Sequence, residues 1–357
     1  MKIVAVRAWL ENLPLTKPYT IAYHTTSHAT IVFLEVELAN GMVGLGAASP
    51  FEEVVGETPT QTFANLQSAE LLDLLKGKDI RHFQQLIKTA DQLFPHLPGT
   101  LAAIDLALHD AFCKWLDMSV LDFYGKQQEP LLTSVTIGIK SIPDMLADAK
   151  DYYAQGFRIL KIKTGIDVEA DIESVIRLQE TFAGKINIRV DANQGYDLAA
   201  LQRFLTATEH LGLELVEQPL PAGEEKSLCS LPSAARKKLV ADESLLDAHT
   251  AIRLAQDPPP YGVFNSKLMK CGGIAGARRI ATIAAASGIE LFWGCNDESI
   301  ASISAALQIA YACSNTRYLD LDGSFELSRD LVSGGFTVKD GYLYPLSQPG
   351  LGLQRRG

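Results

Sequence analysis

The stretch Arg158-Ile159-Leu160-Lys161-Ile162-Lys163-Thr164-Gly165 limits the fold more than any other in the chain. Lys161 and Lys163 stand two residues apart in an apolar run, and strand side chains two apart point to the same face. Two ammonium groups on one buried face are costly unless anions sit among them. The anions come on a regular beat. Beyond Lys163, apolar runs end at Asp191, Glu217, Asp242 and then Lys267, at spacings of 28, 26, 25 and 25 residues. Each spacing is about one strand, one helix and two loops. The beat reaches back to Thr136 and on to Cys295 and Asp320. That makes eight strand ends, the number a closed βα barrel needs.

A barrel leaves much of the 357 residues over, enough for a second, smaller domain. Residues 2–10 alternate as a strand, and Thr30–Ala39 and Met42–Ala47 flank the hairpin signal Asn40-Gly41. Lys17–His28 is polar with neither core-forming period, and is expected as an exposed connection or a lid over a site elsewhere. Thr60–Lys76, Asp79–Phe94 and Gly99–Leu116 carry helical periodicity. Strands followed by helices predict an α+β domain. The polar stretch Tyr124–Pro130 marks its end, and Asp340-Gly341 marks a late hairpin in a tail expected to return to the N-terminal strands. The boundaries are therefore an α+β domain at 1–125, a barrel at 126–322 and a tail at 323–357.

With 47% hydrophobic and 21% charged residues the chain is expected to be globular, and disorder is not indicated. A net charge of −10 argues against nucleic acid as a partner. No apolar run is long enough to span a membrane, and Arg7 and Glu11 break the N-terminal run as no secretory signal would. Five scattered cysteines without a CxxC pattern point to a reducing, cytoplasmic compartment. Assembly into a homo-oligomer is left open. The glycines at Gly41–Gly46 lie inside a hairpin, which weakens a dinucleotide reading. Lys270-Cys271-Gly272-Gly273-Ile274 reads as a strand-to-helix turn before it reads as a phosphate cradle.

Barrel sites lie at the C-terminal strand ends. Asp191, Glu217 and Asp242 on three consecutive strands can converge, and three hard carboxylates suit Mg²⁺. Taken singly, each carboxylate is more often a salt bridge or a cap; the three in phase with lysine strands are not. Lys163 and Lys267 flank the trio. A carboxylate held between them would offer its α-carbon to a base on each side, which is the geometry of inversion. A lysine base must be neutral, and neighbouring positive charge, from Lys161 and Mg²⁺, is expected to lower its pKa.

Lys161-x-Lys163, Asp191 in Val-Asp-Ala-Asn, Glu217 in Glu-Gln-Pro, Asp242-Glu243-Ser244 and Lys267 in Lys-Leu-Met-Lys-Cys-Gly-Gly together resemble the enolase superfamily, in its muconate-lactonizing subgroup. The resemblance spans essentially the whole chain. It implies an α/β fold, a (β/α)7β modified TIM barrel with an α+β N-terminal capping domain completed by the C-terminal tail. Asp320-x-Asp322 on the eighth strand resembles the dipeptide epimerases, where the pair implies a receiver for a substrate ammonium group. The resemblance also implies that Lys161 helps to hold the substrate carboxylate, that Thr136 contacts substrate, and that Cys295, Asn296 and Asp297 line the seventh-strand side. Epimerases for Ala-Glu carry an arginine in the first-domain loop. Here His24 stands about there instead, which argues against Ala-Glu. Asp297, Glu298, Glu52 and Glu53 favour a neutral or basic dipeptide if Asp297 faces the pocket; the alternative is that Glu298 serves a helix N-terminus and Asp297 faces solvent.

The leading expectation is a Mg²⁺-dependent dipeptide epimerase inverting the α-carbon of the C-terminal residue by two-base lysine chemistry. The rivals are o-succinylbenzoate synthesis or cycloisomerisation, which would not use the Asp320 and Asp322 pair, and a non-catalytic binding barrel. A Schiff-base aldolase would leave the three carboxylates unexplained.

Overall fold

Alternating residues from Ile3 onward form β1 (Ile3–Thr20), which pairs antiparallel with β2 (Thr25–Leu38); β2 pairs with β3 (Val43–Ala48) across the Asn40-Gly41 turn. The structure, a computed structural model, describes residues 1–20 and 25–356. The stretch expected as a loop at 17–28 instead prolongs the ladder, with Tyr19 opposite Thr26 and Thr20 opposite Thr25. Backbone pairing needs no alternation of apolar and polar residues, and this polar stretch has none to read. His24 lies outside the described residues.

Six helices complete this layer: α1 (Glu52–Val55), α2 (Pro59–Leu66), α3 (Ala69–Leu75), α4 (Phe83–Leu93), α5 (Pro98–Trp115) and α6 (Val120–Tyr124). The single helix expected over 60–76 is two, because Ser68 accepts the Leu71 N–H at 3.2 Å and caps a fresh start. Helix α5 is buried along almost its whole length against β3. Their backbones touch: a Cβ on Gly46 would fall 2.0 Å from the Ala103 carbonyl oxygen, and one on Gly44 2.3 Å from that of Ala107. Only glycine allows that approach.

The barrel is a parallel sheet of eight strands in sequence order: β4 (Val135–Ile137), β5 (Ile159–Lys163), β6 (Asn187–Asp191), β7 (Leu215–Glu217), β8 (Leu239–Ala241), β9 (Val263–Ser266), β10 (Glu290–Trp293) and β11 (Thr316–Leu319). Short apolar strands covered on both faces are what a parallel sheet demands. The sheet closes where Thr133 pairs parallel with Leu319 and the Ser134 N–H donates to the Leu319 carbonyl at 3.0 Å. The connections carry α7 (Ile142–Ala154), α8 (Val168–Phe182), α9 (Leu198–Thr208), α10 (Glu225–Leu228), α11 (Ser233–Arg236), α12 (Ala248–Leu254), α13 (Leu268–Cys271), α14 (Ile274–Ala286) and α15 (Ile300–Tyr311).

After β11 the chain forms β12 (Val332–Gly334), which pairs with β15 (Leu353–Arg355), and a hairpin of β13 (Phe336–Lys339) and β14 (Tyr342–Pro345). Its turn residues Asp340 and Gly341 both take positive φ, 52° and 78°, as a tight hairpin needs. This segment reaches the N-terminal sheet: Arg355 donates to Glu35 at 2.7 Å, and the Ser328 N–H donates to the Pro14 carbonyl at 2.9 Å. Among the described residues no helix is long and apolar enough to cross a membrane, and all five cysteines are free.

Candidate active site

Strand register sets the catalytic candidates side by side. Lys163 is opposite Asp191 on the β5–β6 ladder, and Asp191 is opposite Glu217 on β6–β7. Asp242 and Lys267 follow β8 and β9 directly. Carboxylate oxygens of Asp191, Glu217 and Asp242 lie within 4.8 Å of one another, all three residues buried. Lys163 Nζ is 2.7 Å from Asp191 Oδ2, and Lys267 Nζ is 2.7 Å from Asp242 Oδ2, so the amines approach the trio from its two ends. Lys161, also inward by the period of two, lies 2.8 Å from Glu217 Oε2, 3.1 Å from Asp191 Oδ2 and 2.8 Å from Asp320 Oδ2.

Each carboxylate has one oxygen fixed by a further donor, and these donors went unread as site residues. The Asn193 N–H holds Asp191 Oδ1 at 3.0 Å, Asn265 Nδ2 holds Glu217 Oε1 at 2.7 Å, and Lys270 Nζ holds Asp242 Oδ1. Asn265 carries the clearest signal, since it lies two residues before Lys267 on an inward-facing run. Asn193 reaches back only because its backbone is left-handed, with φ 41°. The other oxygens face lysines. Lys161 is near Glu217 Oε2 but not aligned for a hydrogen bond, and that buried oxygen has no hydrogen-bonding partner. Three hard oxygen donors, oriented from behind and converging on one point, fit Mg²⁺.

The trio is electrically uneven. Burial opposes ionisation throughout, yet the ammonium groups of Lys163 and then Lys161 hold Asp191 down at about 2. Lys267 and Lys270 likewise hold Asp242 well below the carboxylate range against the effect of burial. For Glu217, burial and the Asp191 charge prevail over Lys161 and push it up to about 8. Burial and Asp242 push neighbouring Glu243 up to about 7. Although burial works to lower Lys267, the Asp242 and Glu217 carboxylates hold it above the usual lysine range. These carboxylates by themselves outweigh Lys161; the lowering expected of Lys161 and Mg²⁺ together concerns the loaded site.

Two cavities open onto this cluster. One, of about 350 Å³, runs between the cap and the barrel and is lined by His28, Phe51, Glu52, Glu53, Lys163 and Lys267 among others. The second, of about 90 Å³, is lined by Thr136, Lys161, Asp320 and Asp322. Cys295, Asn296 and Asp297 border both. Every substrate-contact candidate thus faces a cavity except His24, which lies outside the described residues. Asp322 accepts the Thr136 N–H at 2.7 Å, and burial with the Asp320 charge pushes it up to about 7. Asp320 takes the Ser134 hydroxyl at 2.6 Å. Asp297 lines the cavities, whereas Glu298 is buried and accepts the Asn296 N–H at 2.8 Å; the helix beyond is capped by Ser299.

Comparison with known proteins gives two family matches: a Mandelate racemase / muconate lactonizing enzyme N-terminal domain over residues 3–125, and an Enolase C-terminal domain-like region over residues 144–356. An L-Lys-D/L-Arg epimerase of Desulforapulum autotrophicum is 48% identical, the match covering 99% of this chain and 100% of the relative. The crystal structure of a dipeptide epimerase from Methylococcus capsulatus, complexed with Mg and the dipeptide L-Arg-D-Lys, superposes with a TM-score of 0.97 at 47% identity and 99% coverage of both chains. The L-Ala-D/L-Glu epimerase of Bacillus subtilis, in a substrate-liganded complex, superposes with a TM-score of 0.93 at 29% identity, again with 99% of each chain covered.

Proposed function

We infer the reaction from one premise: the chain belongs to the mandelate racemase / muconate lactonizing enzyme family of the enolase superfamily. The reading is a Mg²⁺-dependent dipeptide epimerase that inverts the α-carbon of the C-terminal residue, with cationic dipeptides as substrates. The observation that carries it is the pair of amines, Lys163 and Lys267, at opposite ends of one three-carboxylate cluster.

Asp191, Glu217 and Asp242 would hold the magnesium ion, and Asn193, Asn265 and Lys270 keep those carboxylates aimed. When bound, the ion supplies positive charge against the dianion that forms when a proton leaves the carbon beside a carboxylate. Lys163 or Lys267 takes that proton on one face, and the other amine returns one on the opposite face. Lys161, set among Asp191, Glu217 and Asp320, adds fixed positive charge where the substrate carboxylate would sit. Asp320 and Asp322 receive the dipeptide's free ammonium group, and Thr136 and Ser134 fix their orientation.

The preference for basic over neutral side chains rests on the cavity wall. Glu52, Glu53, Glu243 and Asp297 line the larger cavity, and they outnumber the lysines there, Lys163, Lys267 and Lys270. Relatives that act as L-Lys-D/L-Arg epimerases support the same choice. Five free cysteines fit a cytoplasmic setting.

The test is to incubate L-Lys-L-Arg, L-Leu-L-Tyr and L-Ala-L-Glu with enzyme and Mg²⁺ in D₂O and follow deuterium gain and D-epimer formation. The cationic dipeptide should react fastest, and Lys163→Ala and Lys267→Ala should each abolish epimerisation. Full activity in either lysine variant, or a preference for L-Ala-L-Glu, would overturn the reading.

A further inference from the structure

We propose that Asp105, on the cap helix α5, is a positioning residue that sets the aim of Lys267, so that one of the two bases is held by the cap and the other by the barrel alone. Lys267 is the N-cap residue immediately before α13, and its carbonyl accepts the Lys270 and Cys271 N–H groups at 3.0 and 3.3 Å. Its backbone is thus the first link of a one-turn rigid unit. The far end of that unit turns through Gly272 and Gly273, with φ 76° and 91°, into α14.

There the fully buried Asp105 reaches across from the cap. Its Oδ1 accepts the Ile274 N–H at 2.8 Å and its Oδ2 the Ala275 N–H at 3.1 Å. The anion at this glycine-rich helix start is therefore the chain's own carboxylate. His109 Nδ1 is 2.8 Å from the Asp105 backbone carbonyl oxygen and 3.1 Å from the same Oδ1, and its Nε2 is 2.7 Å from the Tyr124 hydroxyl, so Asp105 is packed in place from the cap side. The contact is tight: a Cβ on Gly273 would lie 2.7 Å from Asp105 Cβ. A second cap contact lands on the same turn, where the Ser49 N–H points to the Met269 sulfur at 3.2 Å.

Lys163 is held differently. It ends β5 in register with Asp191, and the next residue donates its N–H to the Asp191 carbonyl at 2.8 Å, all within the barrel. A shift of about 1 Å in a catalytic group can cost on the order of 100-fold. Loosening the Asp105 contact therefore weakens proton transfer on one face only.

The inference rests on the two-base reading, and the experiment separates the two. Deuterium exchange with retention is measured for L-Lys-L-Arg and L-Lys-D-Arg separately, with the Mg²⁺-loaded enzyme. Lys267→Ala identifies the epimer that Lys267 serves, as the one that stops exchanging. In Asp105→Asn, exchange of that epimer should fall about tenfold or more, with the other within about twofold. The ratio is internal, so a reduced folded fraction cancels. Gly273→Ala, which presses on the same contact from the barrel side, should reproduce the one-sided loss. Equal losses for both epimers, or no loss, would overturn the proposal. A wild-type enzyme that exchanges neither epimer would overturn the two-base reading itself, and this inference with it.

Discussion

Loading the carboxylate trio with Mg²⁺ should expel close to one proton at neutral pH, and that proton should come from Glu217. Asp191 and Asp242 each have an aligned lysine at 2.7 Å and stay ionised, whereas Glu217 has only the unaligned Lys161 and sits at about 8. A metal ligand must be ionised to bind. One unit below its pKa a carboxyl is about nine-tenths protonated, so at pH 7 binding should release about 0.9 proton per ion, and at pH 9 about 0.1. The sign follows directly: protons compete with the ion, and raising the pH from 7 to 9 should tighten the apparent affinity about tenfold, roughly 1.4 kcal/mol. Isothermal titration of the metal-free enzyme with Mg²⁺ in two buffers of different ionisation enthalpy reads the proton count at each pH. Glu243, pushed up to about 7 nearby, is the competing source. The Glu243→Gln variant should therefore keep most of the release. A proton count unchanged between pH 7 and 9, or abolished by Glu243→Gln, would refute the reasoning.

Asp322→Asn keeps an acceptor for the Thr136 N–H but removes a buried charge from the smaller cavity; it should raise KM for dipeptides about 30-fold, by roughly 2 kcal/mol, and leave N-acetylated dipeptides as poor as before. Replacing Glu53 and Asp297 together by Gln and Asn should lower kcat/KM for L-Lys-L-Arg about tenfold and flatten its dependence on salt, with neutral dipeptides less affected. Gly46→Ala drives a methyl into the Ala103 carbonyl of α5 and should cost about 2 kcal/mol or more, seen as a lower Tm of the metal-loaded enzyme.

Much of the barrel and its chemistry could be read along the chain because the two coincide. Each short buried strand ends within two residues of a candidate site residue, so one count located both Lys163 on β5 and Lys267 after β9. The far end of the β1–β2 ladder could not be read that way, since backbone pairing there comes without a period of two in the sequence. The groups that orient others, as donors or as acceptors, were hidden for another reason. Asn193, Lys270 and Asp105 act through contacts with residues far away in the chain or through a left-handed turn, and neither leaves a period in the sequence. The raised Lys267 was equally out of reach, because it comes from carboxylates on separate strands that converge only in the fold.

The closure of the barrel at Thr133 and Leu319 has a consequence for how the enzyme comes into being. Asp320 and Asp322 sit immediately past that seam and are gripped by Ser134 and the Thr136 backbone, partners 186 positions earlier. During synthesis the two proposed bases and the three proposed metal ligands leave the ribosome before either half of this proposed clasp for the substrate amine can shut. A chain halted short of Asp320 would own the machinery for moving protons and an open sheet edge, with no grip on a peptide's amino end. On the proposed reading, the grip on the peptide's amino end is thus completed after the proton-moving groups are made, and it depends on the two rims of the cylinder meeting.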